Sequence, residues 1–274
     1  MAYKDILVHL DPGGDIETRA MAAARLAAAQ EAHLTGLFVR TPPHIPPFVQ
    51  AQLGSEVMNA QMARAREAAE AAEKTFREVA ERYQVPHEWR DTEGSMVEMV
   101  GLHARYADLT VVGQANPDTE EADYAVPDHL VMDGGRPVLV LPHSGTFPVL
   151  GQHILVGWSA SRESARAVHD AMPLLTRAEK VTVLAVNPTA GIYGELPGAD
   201  IARHLARHGV NAEAEHIHSD DVDVGSTLMT QAGDRNADMV VMGAYGHSRL
   251  RELVLGGATQ QVLRYTTRPV FMSH

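Results

Sequence analysis

A glycine-rich stretch near the end of the chain has the residue types and spacing of a phosphate-binding loop. Gly243 and Gly246 come first, and nine residues separate Gly246 from the pair Gly256 and Gly257. A short apolar run typical of a buried parallel strand precedes Gly243, and a segment that can form a helix follows Gly257. Glycines let a backbone approach an anion closely, and unpaired amides at a helix start point towards it. The same glycines would also suit an ordinary turn. The predicted strands and helices around them must therefore distinguish a phosphate-binding loop from such a turn.

Composition narrows the class of protein that carries this loop. The chain has 274 residues, 45% of them hydrophobic, which suits two globular domains. The net charge of −12 argues against a nucleic-acid partner, because binding a phosphate backbone needs a basic surface. The sequence has no cysteine, no signal segment at its start and no apolar run near the ~20 residues of a membrane helix. We therefore expect a cytoplasmic protein without a membrane partner.

The chain repeats itself. Three blocks recur in the same order: residues 6–11 match 154–159, residues 107–113 match 237–243, and residues 136–140 match 268–272. This order indicates an internal duplication, with a first domain at residues 1–146 and a second at 151–274. The first two blocks lie further apart in the first copy, which predicts an insertion in the Pro-rich segment 41–47 and the long helix after it.

Each copy alternates predicted strands and helices. The strands are expected near residues 5–10, 34–40, 87–90, 109–112 and 137–141, and near residues 153–157, 180–186, 212–216, 239–242 and 269–272. Ser55 is the expected N-cap of a helix that runs to about Tyr83, and Ser161 that of the first helix in the second copy. Alternating apolar strands and helices predict an α/β fold with two tandem, doubly wound, five-stranded parallel sheets. The ligand crevice of such a sheet lies at the carboxyl ends of its strands.

These features together resemble the universal stress protein family in its tandem form. The motifs are an Ile-Leu-Val strand that opens each copy, an Ala-Asp strand that ends in glycine, the glycine loop and a final Arg-Pro-Val strand. The similarity covers nearly the whole chain, apart from the insertion near residues 41–55. It implies an adenine nucleotide alpha hydrolase-like fold, the strand order 3-2-1-4-5 and a dimer-like pairing of the two domains. Many members of the family bind ATP, and others do not.

The resemblance also implies a nucleotide site in the second domain. Gly243 and Gly246 would approach the ribose and phosphates, the segment from Gly256 to Thr259 would wrap the β- and γ-phosphates, and Val186 would contact adenine. The expected cofactor-binding residues are Gly157, Trp158, Ser159, Val186, Gly243, Gly246, His247, Ser248, Arg249, Gly256, Gly257, Ala258 and Thr259. The expected ligand is ATP, with ADP or AMP as alternatives, with or without Mg²⁺.

Two positions depart from the family pattern. Gly257 stands where the family usually has serine or threonine, which removes a hydroxyl donor that Thr259 partly replaces. Ser159 stands where ATP-binding members have an aspartate near the adenine and ribose. Losing one charge-assisted hydrogen bond weakens binding by about 1.5–3 kcal/mol, which is about ten- to a hundredfold.

The first copy lacks the phosphate cradle. Gln114 follows Gly113 directly, the second glycine is missing, and four carboxylates follow at Asp118, Glu120, Glu121 and Asp123. These carboxylates would repel a polyphosphate, although Asp11 keeps the first-strand aspartate. The first domain is therefore expected to be a structural partner, while an uncharged ligand or a cation stays open.

The sequence predicts neither a metal site nor a catalytic residue. Its histidine pairs His204/His208 and His216/His218 lack the third and fourth ligands that zinc requires. No GxSxG elbow and no lysine-bearing Walker loop occurs. Three functions remain: an adenine-nucleotide-binding regulatory protein with an unknown protein partner, a nucleotide-free scaffold, and a slow ATPase. Pairing of the domains within one chain leaves less need for a second chain, but a homodimer stays open.

Overall fold

The structure, a computed structural model, describes residues 2–12, 15–42, 55–115, 125–188, 197–219, 222–245 and 257–274. Expectations that fall between these ranges lie outside the described residues. We call the part up to residue 146 the first half and the part from residue 151 the second half.

The first half alternates strands and helices. Its elements are β1 (Asp5–His9), α1 (Ile16–Gln30), β2 (His33–Arg40), α2 (Ser55–Arg82), β3 (His87–Glu93), α3 (Met96–Ala104), β4 (Leu109–Gly113), α4 (Ala125–Asp133) and β5 (Val138–Leu141). Helix α2 is described from Ser55 onwards and the residues before it lie outside the described residues, so the expectation that Ser55 caps the helix stays a prediction.

The second half follows the same order. Its elements are β6 (His153–Gly157), α5 (Arg162–Asp170), α6 (Met172–Leu175), β7 (Lys180–Val186), α7 (Ala199–Arg207), β8 (Ala212–Ile217), α8 (Val224–Asp234), β9 (Met239–Gly243), α9 (Ala258–Tyr265) and β10 (Val270–Ser273). The predicted cap of α5 is confirmed, because the Ser161 side chain accepts a hydrogen bond from the Ser164 amide.

Within the described residues, ten strands form one sheet in the order β3-β2-β1-β4-β5-β10-β9-β6-β7-β8. Each half therefore has the strand order 3-2-1-4-5, and every neighbouring pair inside a half is parallel. The α/β fold class is confirmed. The two five-stranded halves are nevertheless not separate sheets, because β5 and β10 pair in antiparallel fashion, with Leu139 opposite Phe271.

Helices cover both faces of this sheet, as the apolar strands require. On one face α1 and α5 pack through residues such as Ala23 and Val168, and this core runs across the junction through Phe147 and Phe271. On the other face α3, α4, α8 and α9 contribute residues such as Leu130 and Val262. No helix in the described ranges is both long and apolar enough to cross a bilayer.

The aspartate of the repeated Ala-Asp motif links each fourth strand to the first strand of its half. The Asp238 carboxylate accepts hydrogen bonds from the amides of Gly151, Gln152 and His153, at 2.5, 3.0 and 2.8 Å. The Asp108 carboxylate accepts two such bonds at the equivalent place before β1. The motif therefore holds the start of the strand whose other end borders the predicted site.

Candidate functional site

Three strands of the second half end at the edge where a parallel sheet binds ligands. Gly157 is the last residue of β6, Val186 of β7 and Gly243 of β9. Helix α9 begins at Ala258, and its Thr259 contacts Tyr245, two residues beyond β9. Hydrogen-bonded register places Gly157 beside both Leu184 of β7 and Met242 of β9. The structure thus brings these predicted residues to one edge.

The two strand-ending glycines are also required by packing. A Cβ at Gly243 would lie 2.4 Å from the backbone of Glu163 and Ser164, in the first turn of α5. A Cβ at Gly157 would lie 2.9 Å from the Leu228 side chain of α8. Real Cβ atoms do not approach other atoms this closely, so both glycines let helices sit against the strand ends whether or not a ligand binds.

The start of α9 is tied to the end of β9 by one side chain. The Thr259 hydroxyl, in a residue only 2% exposed, accepts a hydrogen bond from the Tyr245 amide at 3.0 Å. Tyr245 has a left-handed φ of 55°. Gly257 precedes α9 without any side-chain cap, and the Gln261 amide bonds the Gly257 carbonyl at 3.1 Å. The amides before Gln261 are those that a helix leaves without an internal partner.

Trp158 and Ser159 continue the chain from β6 towards α5. The Trp158 amide bonds the Leu184 carbonyl at 2.9 Å, which keeps the first residue after the strand beside β7. The Ser159 hydroxyl donates to Ser161, the α5 cap, at 3.2 Å. Ser159 therefore lies next to a helix start, where an acidic side chain would be favourable.

The remaining predicted residues, Gly246, His247, Ser248, Arg249 and Gly256, lie outside the described residues. Their placement at the site stays a prediction.

A side chain of the second half reaches across to the first half at this edge. The Tyr245 hydroxyl donates to the Asp128 carboxylate of α4, and the charge of Arg264 on α9 lies near the same carboxylate. Burial raises the pKa of Asp128, against the opposing effects of these two neighbours. The Gln114 amide donates to the Leu263 carbonyl of α9 at 3.1 Å in the other direction. Sequence reasoning missed these contacts, which join residues more than a hundred positions apart.

In the first half, the Arg19 side chain lies against the ends of β1 and β4. The Arg19 guanidinium lies where a Cβ of Gly113 would be, 2.2 Å from that position. It forms an ion pair with Asp11 and donates to the His9 carbonyl at 2.9 Å. His9 itself stands at the repeat position of Gly157. Arg19 and His9 were not predicted as site residues, since one lies inside an alanine-rich helix and the other inside an apolar strand.

His9 is 2% exposed and stays neutral at physiological pH. Burial lowers the pKa of His9 to about 4, with Arg19 acting in the same direction and Asp11 opposing it. The unfolded chain takes up this proton near pH 6.5, so folding stability falls as the pH drops from 6.5 to 4.

This pKa shift predicts a measurable pH dependence of stability. Between pH 7 and pH 4.5 the wild type should lose about 2 kcal/mol more unfolding free energy than a His9→Gln variant. Urea unfolding of both proteins at the two pH values measures this difference. Parallel losses would contradict it, because the carboxylates that also titrate are common to both.

The other histidines form surface pairs. The rings of His204 and His208 lie 4.8 Å apart, and those of His216 and His218 6.2 Å apart. His216 lies on β8 and His218 one residue beyond its end. In the described part of the chain, no group of three or more histidine, aspartate or glutamate side chains could hold a metal ion.

A doubly wound parallel sheet with helices on both faces defines an α/β protein, and comparisons with known proteins show which proteins it is similar to. Residues 151–274 match the model of the universal stress protein family. A universal stress protein from Synechocystis sp. is 57% identical over 37 residues, which are 14% of this chain and 13% of that protein. The chain thus spans only a small part of that relative.

Solved structures extend the likeness in fold to the whole chain. The crystal structure of a universal stress protein from Archaeoglobus fulgidus has a TM-score of 0.77 at 15% identity, over 98% of this chain and 95% of that one. A functionally unknown protein from Pseudomonas aeruginosa has a TM-score of 0.60 at 15% identity, over 99% and 92%. Residues 151–274 are thus similar to the universal stress protein family, and the whole chain shares its fold with the Archaeoglobus fulgidus protein.

Proposed function

We propose that this stress-response protein binds an adenine nucleotide, with ATP as the expected ligand, at the carboxyl edge of its second half. One observation carries the proposal: helix α9, which follows Gly257, begins next to the end of β9, where Thr259 bonds the Tyr245 amide, and β6 and β7 end at the same edge of the sheet. Amides at such a helix start suit phosphate oxygens, and ligands of doubly wound sheets bind beyond the carboxyl ends of the strands. The nucleotide would regulate a protein partner, because no catalytic residue is assigned.

The first half is expected to remain without polyphosphate. Its equivalent positions carry the His9 and Arg19 side chains, whereas the second half has Gly157 and the α5 backbone there. One nucleotide per chain is therefore the expected stoichiometry.

Calorimetry with Mg-ATP on the full chain tests the proposal. Two substitutions should change the nucleotide affinity in opposite directions. Ser159→Asp restores a charged acceptor and should tighten binding about tenfold. Val186→Arg places a long charged side chain at the adenine contact and should abolish binding. Val149→Arg is the matched control, since Val149 is 39% exposed and lies in the connection between the halves.

Folded wild-type protein that takes up no ATP, ADP or AMP at millimolar concentration would contradict the proposal. The nucleotide-free scaffold would then be the better description. Phosphate release above background would instead add a slow hydrolytic activity to the binding function.

A further inference from the structure

A cavity of about 350 Å³ lies at the carboxyl ends of β1 and β4 in the first half. Small-molecule pockets range from about 300 to 1,000 Å³, so the cavity has the size for a small ligand. Its polar wall includes His9, Asp11 and Arg19. Its apolar wall is formed by Pro12, Met96, Val126 and Pro127.

Arg19 gives this cavity a charged donor that packing alone does not explain. The residue is only 5% exposed, and its hydrogen bonds to Asp11 and to the His9 carbonyl both come from Nη1. In the described part of the chain, Nε and Nη2 make no hydrogen bond. Two described side-chain atoms are fully enclosed and have no hydrogen-bond partner, namely His9 Nε2 and Thr110 Oγ1. Nε and Nη2 of Arg19 do not belong to this group, so they are not fully enclosed. Arg19 lines the cavity, so its Nε and Nη2 groups are available to donate to an acceptor oxygen of a ligand there.

The charges around the cavity favour a negatively charged ligand. A buried guanidinium disfavours a cation, and Asp11 neutralises only one side of Arg19. Helices α3 and α4 begin at Met96 and Ala125 beside the cavity, so the positive ends of both helices favour a negative oxygen. A triphosphate is disfavoured at the same place, because the Asp11 carboxylate lines the cavity and would repel it.

We propose that the first-half cavity binds a small organic acid. One carboxylate would accept hydrogen bonds from Nε and Nη2 of Arg19, the paired geometry that a guanidinium offers to carboxylates. An apolar body would lie against Met96, Val126 and the two prolines. The site differs from the proposed nucleotide site in its half of the chain and in its ligand class, so either can fail without the other.

Benzoate and its uncharged isostere benzamide test the proposal on the full chain. We expect saturable chemical-shift changes at Met96 and Val126 with benzoate, and binding of benzamide at least about tenfold weaker. Butyrate and hexanoate extend the test to flexible acids. If none of the three acids shifts these resonances at tens of millimolar, or if benzamide binds as well as benzoate, the proposal is wrong.

Two substitutions should change the affinity in opposite directions. Arg19→Gln removes the donors and should reduce benzoate binding about ten- to a hundredfold. Asp11→Asn removes the carboxylate that competes for the same guanidinium and should strengthen binding several-fold. If Arg19→Gln does not fold, Asp11→Asn decides alone, because a merely structural ion pair predicts weaker or unchanged binding in that variant. Ser159→Asp is the control, since it lies in the other half and should leave benzoate affinity unchanged.

Discussion

Asp238→Ala should destabilise the protein by about 3–4 kcal/mol. The Asp238 carboxylate accepts hydrogen bonds from three successive amides that end at His153, the first residue of β6, and alanine would leave all three without this partner. Hydrogen bonds to a charged group contribute about 1.5–3 kcal/mol each, and bonds to one carboxylate do not add fully. Chemical unfolding followed by circular dichroism measures the loss.

The equivalent aspartate of the first half, Asp108, provides a comparison for this prediction. Asp108→Ala removes a carboxylate that accepts from two amides, those of Lys4 and Asp5, and should cost about 2 kcal/mol. Asp234→Ala, at an exposed position late in α8, should stay within about 0.5 kcal/mol of wild type. Equal losses in all three variants would show that the carboxylate–amide bonds do not hold the strand starts.

Most of the fold could be predicted because its strands are apolar and its helix starts carry recognisable caps. The bounds of β6 and β7 agree with the prediction at both ends. Prediction fell short at β3, which was expected to end at Arg90 but continues to Glu93. The last residues of β3 are polar because it is an edge strand, and pairing with β2 extends it, with Arg40 in an ion pair with Asp91.

The joining of the two halves into one sheet could not be derived from local patterns. Short apolar strands such as β5 and β10 carry no signal for whether they form the edge of one sheet or pair with each other. The antiparallel register of Val140 with Val270 depends on the three-dimensional arrangement of the duplicated halves. A dimer-like pairing was available only from the resemblance to a family.

The candidate site was predictable where it rests on backbone and not where it rests on long side chains. Glycines at strand ends and a following helix are visible in the sequence, so Gly157, Gly243 and Thr259 could be named. Arg19 contacts Gly113 across almost a hundred residues, and within α1 it reads as an ordinary helical arginine. The difference between the halves therefore lies in side-chain contacts that periodicity cannot reveal.

Gly243 is the position where the two explanations of a glycine can be separated. If Gly243 serves only close approach of a ligand, Gly243→Ala should leave the fold intact and weaken nucleotide binding. The structure instead places the backbone of α5 2.4 Å from the added Cβ, and a helix backbone cannot move aside as a flexible side chain can. We therefore expect a loss of about 3 kcal/mol in unfolding free energy, measured by urea denaturation.

Gly113→Ala is the matched control, because Gly113 ends β4 as Gly243 ends β9. The atoms closest to its added Cβ belong to the far end of the Arg19 side chain, which can shift within the adjoining cavity. That variant should lose only about 1 kcal/mol. A Gly243→Ala protein as stable as Gly113→Ala would contradict the packing explanation and would return Gly243 to a role in ligand binding alone. The expected asymmetry would show that the duplicated halves use the same glycine against different neighbours, a helix backbone in one and a movable guanidinium in the other.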